Sequence, residues 1–365
     1  MSTLQDRETR GTRKVKGSES PGTDGAVATG VRTVNLALQG GGAHGAFAWG
    51  VLDRLLEEDR LAFEGVSATS AGAMNAAVLA YGLTLGGREG AKRALAGFWR
   101  RIARSSTLSP LQPSVFDRIT HNHALDASPG FVIFDLVTRL LSPYQFNPLN
   151  FNPLRRVLED CVDFEVLRQR SALKLFISAT NVRSGKIRIF RNEELSADAV
   201  LASACLPFLF QATQIDGEAY WDGGYMGNPA IYPLIYGCET RDVVVVHINP
   251  IERPEVPRTA PEILNRMNEI SFNSSLMREM RAIAFVSRLI DEKTIRDDGH
   301  KRMLIHAIED QDFMRGLGVS SKLNSDWEFL MHLHEVGRAS ADRWLSAHYG
   351  SLGRDSSIDL GEMYL

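Results

Sequence analysis

A strand, a glycine-rich turn and a helix follow one another between residues 33 and 56, and this unit restricts the possible folds most. The apolar run Thr33–Gln39 predicts a buried strand, after which Gly40, Gly42 and Gly45 form the pattern G-x-G-x-x-G. An i, i+4 apolar stripe then predicts a helix; its members are Phe47, Val51 and Leu55, flanked by Leu52 and Leu56. Backbone amides at the start of such a helix form a site for a negatively charged group.

A second unit of the same kind follows directly. Phe63–Thr69 predicts a short strand, and the small-residue segment after it predicts a helix that begins at or just after Ser70 and ends at Gly82. Two successive strand–helix units imply a parallel sheet with crossover helices on its faces. The expected fold class is therefore α/β.

Later segments extend this pattern. Ala172–Val182 predicts a strand, with residues 186–192 as its hairpin partner. The β-branched residues of Asp242–Pro250 predict a central parallel strand. Helices are predicted over three further segments: 196–206, stopped by Pro207; 261–292; and 325–349.

Three regions differ in composition from this predicted sheet. Residues 1–30 are rich in Gly, Ser, Thr and charge, which predicts a disordered tail. Residues 105–153 carry many prolines and aromatics, which favours a cap-like insertion of loops and short helices. Residues 251–365 are predicted to be a helical extension packed on the body, so the main domain is expected at 31–250.

Composition excludes several classes of protein. The 365-residue chain has a formal net charge of −3 and no long block of one charge, so it offers no surface for nucleic acid. Cys161, Cys205 and Cys238 are too few and too widely spaced for a disulfide framework, which fits a reducing compartment. No apolar stretch reaches ~18 residues, and no signal peptide is evident. A cytoplasmic protein is expected, with contact to a membrane surface left open.

The glycine turn has two interpretations. A dinucleotide-binding turn requires an acidic residue at the end of the second strand, where this chain instead reads Ser-Ala-Thr-Ser. The alternative is an oxyanion hole, in which the same amides stabilise a tetrahedral intermediate. The missing acid favours the second interpretation, so no nicotinamide or flavin cofactor and no metal is expected.

Ser70 stands where the second strand turns into its helix, which is the position of a nucleophile elbow. The small residues Ala68, Ala71 and Gly72 would let the sharp turn fit. Because alanine disfavours a positive φ, Ala68 in place of the usual glycine predicts a slightly altered turn. A serine before a helix is also a common N-cap, so the elbow alone does not establish a nucleophile.

Two residues are candidates for the base that such a serine requires. His247, at the end of the predicted central strand, would complete a triad. Asp222, followed by Gly223 and Gly224 in a tight turn, would act directly on Ser70. Each also has an ordinary structural interpretation.

Taken together, these motifs resemble the patatin-like phospholipases. The glycine loop Gly40–Gly45, the elbow around Ser70 and the Asp222-Gly223-Gly224 turn stand in that family's order, and the likeness extends over roughly residues 33–250. The resemblance implies a three-layer α/β/α patatin-like fold with a mostly parallel central sheet. It also implies a Ser–Asp dyad, with Ser70 as nucleophile and Asp222 as general base.

The resemblance further implies an oxyanion hole built from the loop, whose residues are Gly40, Gly41, Gly42, Ala43, His44 and Gly45. Gly41, Gly42 and Ala43 are expected to provide the amides. The family usually has Arg or Lys where this chain has His44, so a titratable group replaces a fixed cation. We therefore expect any help from the charge of His44 to fade between roughly pH 6 and 8. The alternative is that His44 points away from the site and only packs.

The expected function is hydrolysis of carboxylic esters of lipids, such as phospholipids or acylglycerols, by a patatin-like serine acyl hydrolase. Transfer of the acyl group to another acceptor and lipid binding without catalysis remain as alternatives. The expected partner is a lipid ester substrate, with peripheral membrane contact. The predicted helix at 262–292 also offers a face for core packing or for pairing of two copies.

Overall fold

A computed structural model describes residues 30–105, 125, 128–295 and 301–365 of the chain. Residues Val31–Leu365 form one compact unit. The predicted N-terminal tail, apart from Gly30, and residues 106–124 of the predicted insertion lie outside the described residues, as do 126, 127 and 296–300.

An eight-stranded, mostly parallel sheet forms the centre of the molecule. Its order is β5-β6-β3-β2-β1-β7-β8, with β4 also paired to β3. The pairs β1–β2, β2–β3, β1–β7 and β7–β8 are parallel, whereas β4, β5 and β6 join antiparallel. The strands are β1 Arg32–Leu38, β2 Leu61–Ala68, β3 Lys174–Asn181, β4 Ile187–Arg191, β5 Thr213–Ile215, β6 Glu218–Asp222, β7 Asp242–Val246 and β8 Leu304–Ile308.

Helices connect these strands. The α-helices are α1 Gly45–Leu56, α2 Ala71–Ser105, α3 Pro129–Leu140, α4 Pro143–Phe146, α5 Pro153–Cys161, α6 Phe164–Arg170, α7 Ala197–Ser203, α8 Tyr232–Gly237, α9 Ala260–Asp291, α10 Gln311–Arg315, α11 Trp327–His348 and α12 Leu360–Tyr364. Short 3₁₀ turns lie at Gly42–His44, Asn192–Glu194, Gly223–Tyr225, Ser320–Leu323 and Tyr349–Ser351. Among the described helices, none combines the length and the apolar composition needed to cross a bilayer.

Strand β7 shows why the sheet requires helices on both faces. Its four valines are fully buried, with Val244 and Val246 in one hydrophobic cluster and Val243 and Val245 in the other. Because side chains alternate across a strand, the two clusters occupy opposite faces of the sheet. One cluster draws on α1, α2 and α11, and the other on α8, α9 and α12. This confirms the expected three-layer architecture and the predicted central parallel strand, although that strand ends at Val246 and not at Pro250.

The structure corrects the predicted end of the second helix. Helix α2 continues past Gly82 to Ser105 and bends at Gly86 and Gly87, where Gly87 has a φ of +58°. Gly82 lies inside the helix, where a Cβ would come within 2.6 Å of Ala91 Cα. The glycine therefore permits close packing across the bend and does not end the helix.

The sequence predicted a purely helical C-terminal region, but the structure shows that this region is not purely helical. It contributes strand β8, which pairs in parallel with β7 at the edge of the sheet. Its His306 is fully buried and its Nε2 lies 3.0 Å from Asp242 Oδ1. The long helix α9 makes the crossover between these two parallel strands, as a parallel pair requires.

Helices α1 and α11 approach each other at two glycines. A Cβ at Gly50 would overlap the carbonyl group of His334, and a Cβ at Gly337 would overlap that of Phe47. Helix α1 follows the glycine loop directly, so this contact fixes the helix that carries the loop.

We predict that Gly50→Ala destabilises the protein, by roughly 2 kcal/mol or more, since the methyl group forces the two helices apart. Gly97→Ala is the matched control, because Gly97 lies in α2 with only the flexible end of Arg101 nearby. In a helix interior that control should be neutral or stabilise by up to about 1 kcal/mol. Urea unfolding of both variants provides the measurement, and equal free energies of unfolding would contradict the close contact.

Candidate active site

The sheet register brings Ser70 and Asp222 together. Ala68, the last residue of β2, is paired with Ile177 of β3, and two residues further along β3 the partner is Asp222. The chain leaves the sheet after Ala68 and turns at Ser70, so β6 takes over pairing with β3 at that point. Asp222 therefore occupies the position beside β3 that β2 vacates, next to the turn that carries Ser70.

Ser70 sits in a strained turn between β2 and α2. Its φ is +56°, which is a left-handed conformation that a residue with a side chain rarely adopts. The Thr69 N–H donates to the carbonyl of Leu38 at 3.2 Å, and the Ser70 N–H donates to Ser203 Oγ at 2.9 Å. Ser70 is 9% exposed. The turn thus fixes the direction of the serine side chain, which is mostly buried but keeps a small accessible surface.

The small residues around Ser70 have separate roles. A Cβ at Gly72 would lie 2.5 Å from the carbonyl oxygen of Leu38, so glycine allows α2 to begin against β1. Ala68 ends β2 as a fully buried strand residue. The residue with positive φ is Ser70 and not Ala68, so alanine is compatible with the strand conformation at position 68.

The carboxylate of Asp222 is fully buried at the end of β6. Its Oδ1 accepts a hydrogen bond of 2.7 Å from the N–H of Gly224, which explains the Asp-Gly-Gly sequence. Its backbone N–H donates to the carbonyl of Cys205, and its carbonyl accepts from Thr180 Oγ1, both at 2.8 Å. Burial raises the pKa of Asp222 to about 7, even though Gly224, Ser70 and Lys322 each lower it.

The side chains of Ser70 and Asp222 are neighbours, but no hydrogen bond of ordinary geometry joins them. The Ser70 hydroxyl lies near enough to lower the pKa of Asp222. Among the described residues, however, Asp222 Oδ2 has no hydrogen-bond partner of ordinary geometry. Asp222 Oδ2 therefore remains available to accept a proton. Its lack of a short bond to Ser70 fits such a role, because catalytic hydrogen bonds are often long before substrate binds.

The glycine loop uses some of its amides for its own structure and leaves others without a hydrogen bond to a described residue. Gly40 donates its N–H to Asn228 Oδ1 at 2.7 Å, and His44 donates to the carbonyl of Gly41. The N–H of Gly45 bonds back to the loop carbonyls. No hydrogen bond joins the amides of Gly41, Gly42 and Ala43 to another described residue. These three are the amides that the sequence prediction assigned to an oxyanion.

Asn228 braces the loop against the serine turn. Besides its bond to Gly40, its backbone carbonyl accepts a hydrogen bond from Gln39 Nε2 at 3.3 Å. A Cβ at Gly40 would lie 2.6 Å from Ser70 Cβ, which places loop and serine side by side. Sequence reasoning did not single out Asn228, whose only signal was its place shortly after the Asp-Gly-Gly turn.

The structure contradicts the expectation for His44. Its side chain is 3% exposed, and Nε2 lies 2.8 Å from Ser321 Oγ. Burial, together with the nearby cation of Lys322, lowers the pKa of His44 well below its usual value of 6.5. The ring is therefore neutral between pH 6 and 8, and its charge cannot fade over that range.

His247 does not complete a triad. Its Nε2 is hydrogen bonded to the hydroxyl of Tyr364 in α12, and burial lowers its pKa to about 4. Among the described contacts, none joins this ring to Ser70 or Asp222. His247 holds the C-terminal helix on the sheet, which is the structural interpretation left open above.

Two further polar residues border the site without any local sequence motif. Asn249 follows β7 and donates from Nδ2 to the carbonyl of Gly40 at 2.8 Å. Lys322, from the turn Ser320–Leu323, donates from Nζ to Asn249 Oδ1 at 2.7 Å. Within the described part of the chain, no cluster of three or more His, Cys, Asp or Glu side chains is arranged to hold a metal ion.

Comparison with known proteins gives one family. The sequence model described as patatin-like phospholipase matches residues 36–235, more than half of the chain, and this span contains the glycine loop, Ser70 and Asp222. No curated protein matches the sequence.

Three solved structures match this chain with low TM-scores and low sequence identity. VipD from Legionella pneumophila has a TM-score of 0.42 and 17% identity, covering 86% of this chain and 67% of its own. The type III effector protein ExoU has a TM-score of 0.31 and 16% identity, covering 86% and 53%. Full-length ExoU from Pseudomonas aeruginosa, solved with SpcU, has 0.32 and 13%, covering 87% and 54%. The chain thus spans about two thirds of VipD and about half of the ExoU chains.

We predict that Ser70→Gly leaves the protein more stable than Ser70→Ala, by about 1 kcal/mol, since only glycine accepts the positive φ without strain. The same pair at the exposed Ser184, which does not have a positive φ, should show the opposite order. Urea unfolding measures all four variants. An Ala variant at position 70 as stable as the Gly variant would rule out backbone strain there.

We also predict that Asp222→Asn stabilises the protein at pH 8 by up to about 4 kcal/mol, a difference of about 3 pKa units. Because the folded-state pKa is raised from 3.8 to about 7, burying the carboxylate costs stability fully above pH 7. That cost decreases as the pH is lowered, and it vanishes below the pKa that Asp222 has in the unfolded chain.

The difference between the variant and the wild type should therefore shrink steadily between pH 8 and pH 4. Asp216→Asn, in the exposed turn between β5 and β6, is the control and should show no such trend. Thermal unfolding across this pH range gives the result. A gap that stays constant with pH would mean that Asp222 is not titrating as described.

Proposed function

The chain belongs to the patatin-like phospholipase family, and from this we propose that it is a serine acyl hydrolase that cleaves carboxylic ester bonds of lipids. The observation that carries the proposal is the placement of a buried carboxylate with one free oxygen beside a serine in a strained turn. The amides of Gly41, Gly42 and Ala43, which have no hydrogen bond to another described residue, belong to the loop that adjoins this serine.

The proposed reaction uses three groups of this chain. Ser70 Oγ attacks the ester carbonyl carbon while Asp222 takes the hydroxyl proton, and the amides of Gly41, Gly42 and Ala43 receive the negative charge on the carbonyl oxygen. When the intermediate collapses, Asp222 returns that proton to the leaving alkoxide and an acyl-serine remains. Water then attacks the acyl group, again through Asp222, and releases the fatty acid and free Ser70.

The raised pKa of Asp222 supports its role as a base. A base works best when its pKa lies near the working pH, and burial brings this carboxyl to about 7. Since only the ionised form accepts a proton, we expect kcat/KM to rise as the pH increases through about 7.

Exposed apolar side chains in and after the predicted insertion at residues 105–153 support contact with a lipid surface. Helix α3 exposes four of them, Val132, Ile133, Leu136 and Leu140, each more than half accessible. Leu149, Phe151 and Phe208 are exposed further along the chain, and Gln211 Nε2 ties these segments together through the carbonyl of Asn147. Large exposed apolar groups of this kind are typical of surfaces that meet membranes or partners.

Compartment and oligomeric state are part of the same proposal. All three cysteines are free, which supports a reducing compartment such as the cytoplasm. Helix α9 buries one face and exposes Ile263, Leu264, Met267 and Ile270 on another, so pairing of two copies there stays a prediction. Light scattering in solution measures the molar mass and decides between one copy and two.

Two alternative functions use the same residues differently. An acyltransferase would pass the acyl group from Ser70 to an alcohol instead of water, which an assay with glycerol as acceptor separates. A lipid-binding protein without catalysis would leave Ser70 unreactive. Covalent labelling of Ser70 by a fluorophosphonate, followed by mass spectrometry, distinguishes this case.

We predict that Ser70→Ala and Asp222→Asn each lower ester hydrolysis by more than about a thousandfold, with the double variant no worse than either. The losses are not additive because both side chains act in one proton transfer. Initial rates on a neutral chromogenic ester and on phospholipid vesicles give the measurement.

Matched controls are Ser184→Ala and Asp216→Asn, which change exposed residues of the same types. If Asp222→Asn kept wild-type turnover while His247→Ala lost it, a triad would replace the proposed dyad. If the purified wild type neither hydrolysed any ester nor reacted with the fluorophosphonate, the proposed function itself would be wrong.

A further inference from the structure

The backbone around Lys322 covers the glycine loop. Gly42 has a φ of +58°, and a Cβ there would overlap the carbonyl oxygen of Lys322. Two residues after Gly42, the Nε2 atom of His44 lies 2.8 Å from Oγ of Ser321, the residue that precedes Lys322. The turn Ser320–Leu323 is thus held directly against the loop that contains the amides of Gly41, Gly42 and Ala43.

One side chain links the ammonium group of Lys322 to that loop. Lys322 Nζ donates to Asn249 Oδ1 at 2.7 Å, and Asn249 Nδ2 donates to the carbonyl of Gly40 at 2.8 Å. Gly40 in turn adjoins Ser70. The cation is therefore linked to the loop through one side chain, that of Asn249, and its charge acts on Asp222.

The charged groups around Lys322 do not neutralise it by contact. Glu269 of α9 is bound by Arg253 at 2.6 Å and by Arg266 at 3.2 Å, so its charge is already paired. His44 of the loop is neutral near pH 7 because of burial. Within the described residues, no carboxylate oxygen lies within ion-pair distance of Lys322 Nζ, and Asp222 interacts with it only at longer range.

We propose that Lys322 provides the positive charge that the glycine loop itself lacks, and that this charge stabilises the anion formed when Ser70 attacks an ester. The inference rests on the proposed acyl hydrolase function. Lys322 is a positioning residue in this scheme, since it acts through Asn249 and the loop and through its field at Asp222. The C-terminal segment thereby contributes to the chemistry of a site whose proposed dyad and glycine loop lie before residue 230.

The proposal has a consequence for pH dependence. Burial lowers the pKa of Lys322 to about 8, with Arg253 also lowering it and Glu269 and Asp222 opposing the change. The charge is present below pH 8 and is lost above it. With Asp222 ionising at about 7, kcat/KM should rise through about pH 7 and fall again above about pH 8.

Two variants separate the charge from the hydrogen bond. Lys322→Gln keeps a donor for Asn249 and removes the charge, and Lys322→Arg keeps both. On a neutral, water-soluble ester at pH 7.5, we expect Lys322→Gln to lower kcat/KM by about ten- to a hundredfold, chiefly through kcat. Lys322→Arg should restore most of the activity and remove the fall above pH 8, because a guanidinium stays charged there.

Controls cover folding and the role of the substrate. Lys186→Gln changes an exposed lysine in the turn between β3 and β4 and should match the wild type. Thermal unfolding reports whether each variant is folded. The wild-type pH profile tests the falling limb without any substitution, so a variant that fails to fold does not leave the proposal untested.

Three results would overturn the inference while leaving the hydrolase function intact. These are full activity in Lys322→Gln, a profile for Lys322→Arg that still falls above pH 8, and a loss in Lys322→Gln confined to anionic phospholipids. The last would assign Lys322 to the substrate's phosphate and not to the reaction's own anion. Absence of any hydrolysis or labelling in the wild type would instead overturn the function on which the inference rests.

Discussion

The buried carboxylate of Asp222 is the group on which the arrangement of this molecule depends. An isolated charge in a protein interior is costly, and this one receives a single hydrogen bond from Gly224. Its backbone N–H donates to the carbonyl of Cys205, in the loop after α7, and its carbonyl accepts from Thr180 Oγ1 of β3, which holds this fully buried residue in place. The result is a carboxyl whose pKa is near 7, a property that a surface aspartate does not have.

The rest of the site is arranged around that group by backbone geometry. The sheet register places Ser70 at the point where β6 replaces β2 beside β3. Asn228 then fixes the first amide of the glycine loop, and the next three make no hydrogen bond to any described residue. Regular secondary structure, and not flexible side chains, thus sets the distances among the groups that take part in the proposed reaction.

Much of this could be predicted from sequence, because the decisive signals are local. Periodicity and β-branched runs indicated β1, β2, β3, β4 and β7, and the order of three short motifs indicated the family. Strand β8 was missed because Leu304–Ile308 is short and follows a long polar stretch. Lys322 and Asn249 were missed for a different reason: neither belongs to a local pattern, and only the folded chain brings them to the loop. The burial that makes His44 neutral was likewise not visible in its neighbours along the sequence.

The close packing of α1 against α11 also bears on when the protein becomes active during its synthesis. Both side chains of the proposed dyad have been translated by residue 222, yet the helix that carries the loop rests on residues 327–348, and the loop itself is covered by Lys322. Strand β1 lies in the middle of the sheet and pairs with β7, which is made more than two hundred residues after it. Contacts of such long range form late, since a large part of the chain must be present first. A nascent chain on the ribosome therefore carries Ser70 and Asp222 before it has the residues that shape the loop, and the proposed activity requires those residues to be made and folded.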